Sequence, residues 1–135
     1  MPQMTPIALS ITLATAGILG LIYIGLAVRV IMLRIRHRIS LGDGGNTALL
    51  ERMRSHGNFA EYVPLLLILM AMIELSGANT ILMICAAVLL VLARISHVIG
   101  IEFGRTPNFF RTFGVAGTFI LLATFCVWAI LIALR

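Results

Sequence analysis

Uncharged residues run unbroken from position 7 to 28, about 22 residues, enough to cross a hydrocarbon layer of about 30 Å at about 1.5 Å per helical residue. An amphipathic RVIMLRIRHR segment follows, and then SLGDGGN at residues 40–46, where glycine and turn formers predict a loop. Apolar residues dominate again over 62–75, 81–93 and 113–134. The pattern predicts four transmembrane helices, an all-α up-and-down bundle forming a single domain over residues 1–135. The first run is too long for a signal peptide, has no basic segment ahead of it, and is followed by no small-residue cleavage site.

The two middle helices are unusual, because each purely apolar run is only about 12–14 residues where about 20 are needed to span. Each must carry polar residues into the bilayer, the second at its start through Arg54, Asn58 and Glu61, the third at its end through Arg94, His97 and Glu102. The SGAN turn at 76–79 forces the pair into an antiparallel hairpin, in which residues whose numbers sum to about 155 share a depth. Glu61 is then level with Arg94, and Asn58 with His97. Glu61 lies about 22 Å from the far end of its helix, several ångströms inside the nonpolar slab. A carboxylate there costs about 2.5–3.5 kcal/mol unless it is paired or faces protein or water, and Arg94 is the expected partner. Such a pair is either part of a functional site or a device fixing helix register.

Composition agrees: 61% of the residues are hydrophobic and 11% charged, against roughly 45–50% and roughly 25% in a soluble domain. With a mean hydropathy of +1.10, the chain reads as an integral membrane protein. Soluble, disordered, collagen-like and coiled-coil classes are excluded. The ten basic residues are all arginine and face five acids, for a net charge of +5. In a soluble chain that balance would suggest nucleic acid; here the arginines cluster at helix ends, where anionic headgroups account for them, and no nucleic-acid partner is expected. Arg34, Arg36, Arg38, Arg52, Arg54, Arg94, Arg105 and Arg111 fall at one end and Arg135 at the other. The polar end is therefore expected to be cytoplasmic, with both termini on the opposite side.

Several residues receive plainer readings. Cys85 and Cys126 lie in apolar runs without CxxC spacing, and His37 and His56 lie in arginine-rich interfacial segments without HxxxH or HExxH spacing, so no disulfide or metal site is expected. Met70, Met72 and Met83 read as packing or lipid-facing residues. Glu74, near the far interface, is expected to reach water, a proton-coupling role being the lesser reading. Glu102 is expected to pair with Arg105 or to face the headgroups.

Arg54, Asn58 and Glu61 stand at i, i+4 and i+7, so they share one helix face, with Tyr62 beside them. A cation, an amide and an anion on one stripe suit a zwitterion such as a small peptide: arginine grips a carboxylate with two prongs, asparagine pairs with a peptide group, and glutamate takes an ammonium. Pro64 removes a backbone donor just beyond the stripe and is expected to bend the helix. Such a stripe cannot face lipid, so burial at a subunit interface is a natural solution, and Ala14, Ala16, Gly17, Gly20 and Gly25 would allow close helix contacts along the first helix.

These residues also carry a resemblance. RMRSHGNFAEYVP, residues 52–64, resembles the second-helix signature of the membrane-associated proteins in eicosanoid and glutathione metabolism, the MAPEG superfamily. ARISHVIG, 93–100, resembles that family's third helix, and PNFFRT, 107–112, the start of the fourth in its prostaglandin E synthase branch. The overall pattern is most similar to small bacterial members. The resemblance implies a homotrimer in the bacterial inner membrane, with glutathione lying between adjacent subunits at the cytoplasmic end. It implies that Arg54, Asn58 and Glu61, with Tyr62 alongside, hold the tripeptide, that His97 is a histidine contact, and that Arg111 is the arginine nearest the sulfur. Arg34 would supply a cation from the neighbouring subunit, and Arg94 matches a further family arginine. Thr112 stands where the prostaglandin branch has a serine, and it also reads as the N-cap of the fourth helix.

Two departures, Ile101 in place of a glutathione-contacting tyrosine and Ile35 in place of a leukotriene-branch arginine, point away from a specialised eicosanoid synthase. The implied activity is glutathione transfer to apolar electrophiles or reduction of lipid hydroperoxides by an arginine-stabilised thiolate. Two other classes stay open. One is a noncatalytic trimeric membrane module. The other is a small multidrug-type transporter, which needs an acid in its first helix, whereas residues 7–33 contain none.

Overall fold

The computed structural model describes residues 9–102 and 108–134. The first two residues of the first apolar run, together with Arg105, Pro107 and Arg135, lie outside the described residues. The chain forms α1 (Ser10–His37), α2 (Thr47–Leu75), α3 (Thr80–Glu102) and α4 (Phe109–Ala133), with no strand among the described residues. All four helices are long and apolar enough to cross a membrane. α2 is the least apolar of the four, and it is the helix that carries the polar stripe.

Helix ends follow local chemistry. The Asn46 side chain accepts from Leu49 N (3.0 Å) to start α2, and Asn79 accepts from Ile81 N (2.9 Å) and Leu82 N (3.2 Å) at the start of α3. These bonds satisfy amides that have no partner within the helix. The fourth helix begins earlier than its apolar run: Asn108, in an extended conformation, is the cap and accepts from Arg111 N at 2.9 Å. Thr112 is therefore not the N-cap. It lies in the first turn and donates its hydroxyl to the Asn108 carbonyl at 3.2 Å. α3 likewise continues past its apolar run to Glu102, keeping Arg94 and His97 inside a helix.

α2 touches all three other helices, α3 and α4 share the most extensive packing, and α1 and α4 are not neighbours. Leu19, Phe59, Leu66, Met70, Met83 and Phe125 form the centre of the core, whereas Met72 faces outward. Large apolar side chains cover the outside of every helix, as a hydrocarbon solvent requires.

Glu74 has a role that its position in the sequence did not show. α1 has no side-chain cap of its own; the Glu74 carboxylate supplies one from α2, accepting from Ile11 N (3.0 Å), Thr12 N (2.8 Å) and Thr12 Oγ1 (2.6 Å). An anion on a helix N-terminus satisfies orphan amides and meets the positive end of the helix dipole, which is why this half-buried carboxylate turns to α1. Glu74→Gln removes the charge and one of the two acceptor oxygens. It is expected to cost about 1–3 kcal/mol, measured as a lowered Tm in detergent. A second clasp joins the opposite ends: Glu102 pairs with Arg29, and Arg52 Nη1 donates to the Arg29 carbonyl at 3.2 Å. The α1–α3 seam thus brings Arg29 to Glu102; Arg105, its expected partner, lies outside the described residues.

Candidate functional site

At the arginine-rich end, α2, α3 and α4 enclose a groove of about 700 Å³, within the roughly 300–1,000 Å³ range of small-molecule sites. Arg54, Asn58 and Glu61 line it from α2, His97 from α3 and Arg111 from α4. Leu50, Met53, Ile101 and Val115 add apolar wall. The i, i+4, i+7 spacing on α2 thus delivers its three side chains to one surface, with Arg54 and Glu61 exposed and Asn58 half-buried.

Two glycines bring α4 against α3. A Cβ on Gly114 would lie 2.6 Å from His97 N and Cβ and 2.7 Å from the Ala93 carbonyl, and a Cβ on Gly100 would meet the Arg111 backbone, its Cα at 2.6 Å. The contact is tied by Asn108 Nδ2 donating to the Gly100 carbonyl (2.6 Å) and Ser96 Oγ donating to the Phe110 carbonyl (2.8 Å). Arg111 therefore leaves a fixed first turn of α4 and faces the same groove as His97. Small residues that let helix backbones approach are the usual means of close packing in membranes. The glycine-and-threonine row of α4, Gly114, Gly117 and Thr118, was the available signal, which the small residues of α1 obscured.

Arg94 is not paired with Glu61. Its side chain is 1% exposed; Nη2 donates to Asn58 Oδ1 at 2.8 Å, Nη1 to Thr118 Oγ1 at 3.3 Å, and the guanidinium lies 5.2 Å from the Phe59 ring centroid. Hairpin arithmetic sets depth but not rotation: Arg94 points into the seam with α4, and its long side chain reaches one turn toward the polar end, while Glu61 faces the groove. Arg94 acts on the site by holding the Asn58 amide, whose carbonyl it occupies and whose N–H donors it leaves for a ligand. His97 is 3% exposed, and both its ring nitrogens, like Arg94 Nε and Ser55 Oγ, lack a hydrogen-bond partner among the described residues. Buried polar atoms are normally satisfied; of these residues His97 lines the groove, so its imidazole holds bonding capacity in reserve there.

Four sequence-assigned residues do not line the groove. Arg34 folds over its own helix end, donating to the Ser40 carbonyl (3.2 Å) and reaching Met53 Sδ (3.3 Å). Tyr62 packs edge-on against Phe119, ring centroids 5.2 Å apart. Arg94 stands behind Asn58, and Thr112 is occupied at the helix start. Pro64 faces a different groove, between α1 and α2, and α2 continues through it to Leu75. Gly17, Gly20 and Gly25 of α1 would each place a Cβ in open space.

The arrangement offers two outward guanidiniums, one carboxylate and one oriented amide, with a further buried guanidinium behind them. That inventory suits a ligand bearing an ammonium and more than one anionic group. The chain is 37% identical over 71 residues to "Inner membrane protein YecN" from two strains of Escherichia coli, K12 and O6:H1, a match covering 53% of this chain and 54% of each relative. It thus spans about half the length of the curated relatives it matches. No solved structure matches the chain. The profile described as "MAPEG family" matches residues 12–131, nearly the whole bundle and every residue lining the groove, and the chain therefore belongs to the MAPEG family.

Proposed function

We propose that this protein binds glutathione in the groove between α2, α3 and α4 and uses its thiolate as a nucleophile, as a membrane glutathione transferase with peroxidase capacity. The observation that carries the reading is the convergence of Arg54, Asn58, Glu61, His97 and Arg111 from three helices on one groove. Glutathione has two carboxylates and one ammonium, so it gains a second net negative charge when its thiol ionises. The groove, with Arg54 and Arg111 against Glu61 and with Arg94 behind, has the complementary excess.

In this reading Arg54 grips a carboxylate, Glu61 the ammonium and Asn58 a peptide group, and Arg111 stands over the sulfur. The thiolate attacks an electrophilic carbon, whose leaving group departs with the bonding electrons. Against a lipid hydroperoxide it attacks the terminal oxygen, the O–O bond breaks, the sulfur keeps the hydroxyl as a sulfenic acid and the lipid alkoxide takes a proton; the thiol of a second glutathione then displaces that hydroxyl as water to give the disulfide. The apolar substrate arrives from the bilayer, at whose depth the groove lies.

Exposed charges at membrane depth are costly unless protein or water covers them, and a homotrimer supplies the cover, with Arg34 of an adjacent copy as a further cation. The likeness to an inner membrane protein and the arginine distribution support a bacterial inner-membrane location with the groove at the cytoplasmic end. Titration calorimetry in detergent tests the binding step. Glutathione is expected to bind the native protein, and Glu61→Gln is expected to weaken it about tenfold, the scale of one charge-assisted hydrogen bond of about 1.5–3 kcal/mol. No heat of binding, or unchanged affinity in the variant, overturns the assignment. Conjugation of a generic electrophile and reduction of a fatty-acid hydroperoxide then separate turnover from binding alone.

A further inference from the structure

The Asn58 amide is tied to α1, a helix that lines no part of its groove. The Asn58 carbonyl accepts from Arg94 Nη2 at 2.8 Å, and an amide free to turn about its last side-chain bond takes its direction from such a donor. Arg94 is itself short of partners. Its guanidinium is buried, and Nη1 reaches Thr118 Oγ1 only at 3.3 Å. Among the described residues Nε has no partner and no carboxylate pairs with the side chain. A buried cation with so few acceptors gains from the nearest aromatic face. Here that is Phe59, whose ring centroid lies 5.2 Å from Arg94 Cζ.

Phe59 is placed in turn by α1. Its ring is 2% exposed, and Tyr23 stacks on it with centroids 5.7 Å apart and planes inclined by 28°. His56, at i−3 from Phe59 and so on the same face of α2, stacks on Tyr23 at 4.6 Å and 20°. His56, Tyr23, Phe59, Arg94 and Asn58 therefore form one row of contacts that joins α1 to α2 and α3 and ends at the groove. Tyr23 is the member of that row supplied by α1.

We propose that Tyr23 is a positioning residue for the groove: by stacking on Phe59 it fixes the aromatic face against which Arg94 rests, and through Arg94 it fixes which way the Asn58 amide points. The face of the ring, not the hydroxyl, carries the effect. The consequence for glutathione rests on the reading above, whereas the link from Tyr23 to Asn58 does not.

Magnetic resonance of ligand-free protein in detergent, with isotope-labelled asparagine, reads the amide directly. The chain has four asparagines, and Asn58→Ala identifies the side-chain signal of Asn58. Tyr23→Leu keeps apolar bulk without a ring and is expected to shift that signal, as is Phe59→Leu, whereas Tyr23→Phe leaves it in place. If Tyr23→Leu does not fold, His56→Leu, which removes the other ring against Tyr23, is expected to shift the signal in the same direction by less. Calorimetry then reads the consequence. Tyr23→Leu is expected to weaken glutathione binding about fivefold, the scale of one aromatic pair, and to have no such effect in an Asn58→Ala background, because contacts in one network are not additive. A purely structural role would weaken both backgrounds alike. An unmoved Asn58 signal in the folded variants, or equal losses of affinity in the two backgrounds, overturns the inference. A shifted signal in a protein whose native form gives no heat with glutathione upholds the link and overturns the glutathione reading alone.

Discussion

Arg111→Ala is expected to retain glutathione to within about tenfold of the native affinity while losing the ultraviolet difference band of its thiolate. A cysteine-like thiol of pKa about 8.5 is only a few per cent ionised at neutral pH. A guanidinium held beside the sulfur in a low-dielectric groove lowers that value by about one or two units, each about 1.4 kcal/mol, and raises the ionised fraction to between about a quarter and three quarters. Arg111 suits this task because Gly100 and Asn108 hold its backbone while its side chain remains exposed on the groove. Its removal should leave the grip of Arg54, Asn58 and Glu61 in place. Turnover should fall about tenfold or more, in step with the thiolate band. A native-strength band in the variant would remove Arg111 from the mechanism.

The second large effect is expected from a single methyl group. Gly114→Ala places a Cβ 2.6 Å from the His97 backbone nitrogen and 2.7 Å from the Ala93 carbonyl oxygen, and backbone atoms in the middle of α3 cannot step aside as the tip of a flexible side chain can. The helices must part along their most extensive contact, at a cost of about 1–3 kcal/mol or more. The separation also pulls Thr118, and with it Arg94, away from Asn58. Gly117→Ala is the internal comparison, since its Cβ would meet only the Ala93 Cβ, at 3.1 Å. Thermal unfolding in detergent should show a large fall in Tm, or no folded protein, for Gly114→Ala and a small change for Gly117→Ala. Equal behaviour of the two would contradict the close-approach argument.

The four spans were legible because length and hydropathy alone decide them, and the α2 stripe because helical spacing alone puts Arg54, Asn58 and Glu61 on one face. What the sequence could not supply was rotation. The partner of Arg94 depends on which way α3 turns, and that is decided by where Gly114 lets α4 sit, a packing event between segments distant in sequence. The same holds for Glu74: its depth near the far interface was readable, but the amides it satisfies belong to α1, more than sixty residues earlier. The start of α4 was misplaced for a local reason. Asn108 and Thr112 are both competent caps, and the apolar run favoured the later one, whereas the ties from Asn108 to Gly100 and from Ser96 to Phe110 pull the helix start back by a turn.

The Glu74 clasp bears on how the protein enters its membrane. A first helix inserted alone would lack the carboxylate that caps Ile11 and Thr12 until the second segment had crossed completely and delivered it. The α1–α2 hairpin is therefore the smallest unit in which this clasp exists, and a chain interrupted between the two helices is expected to be cleared faster than the intact hairpin.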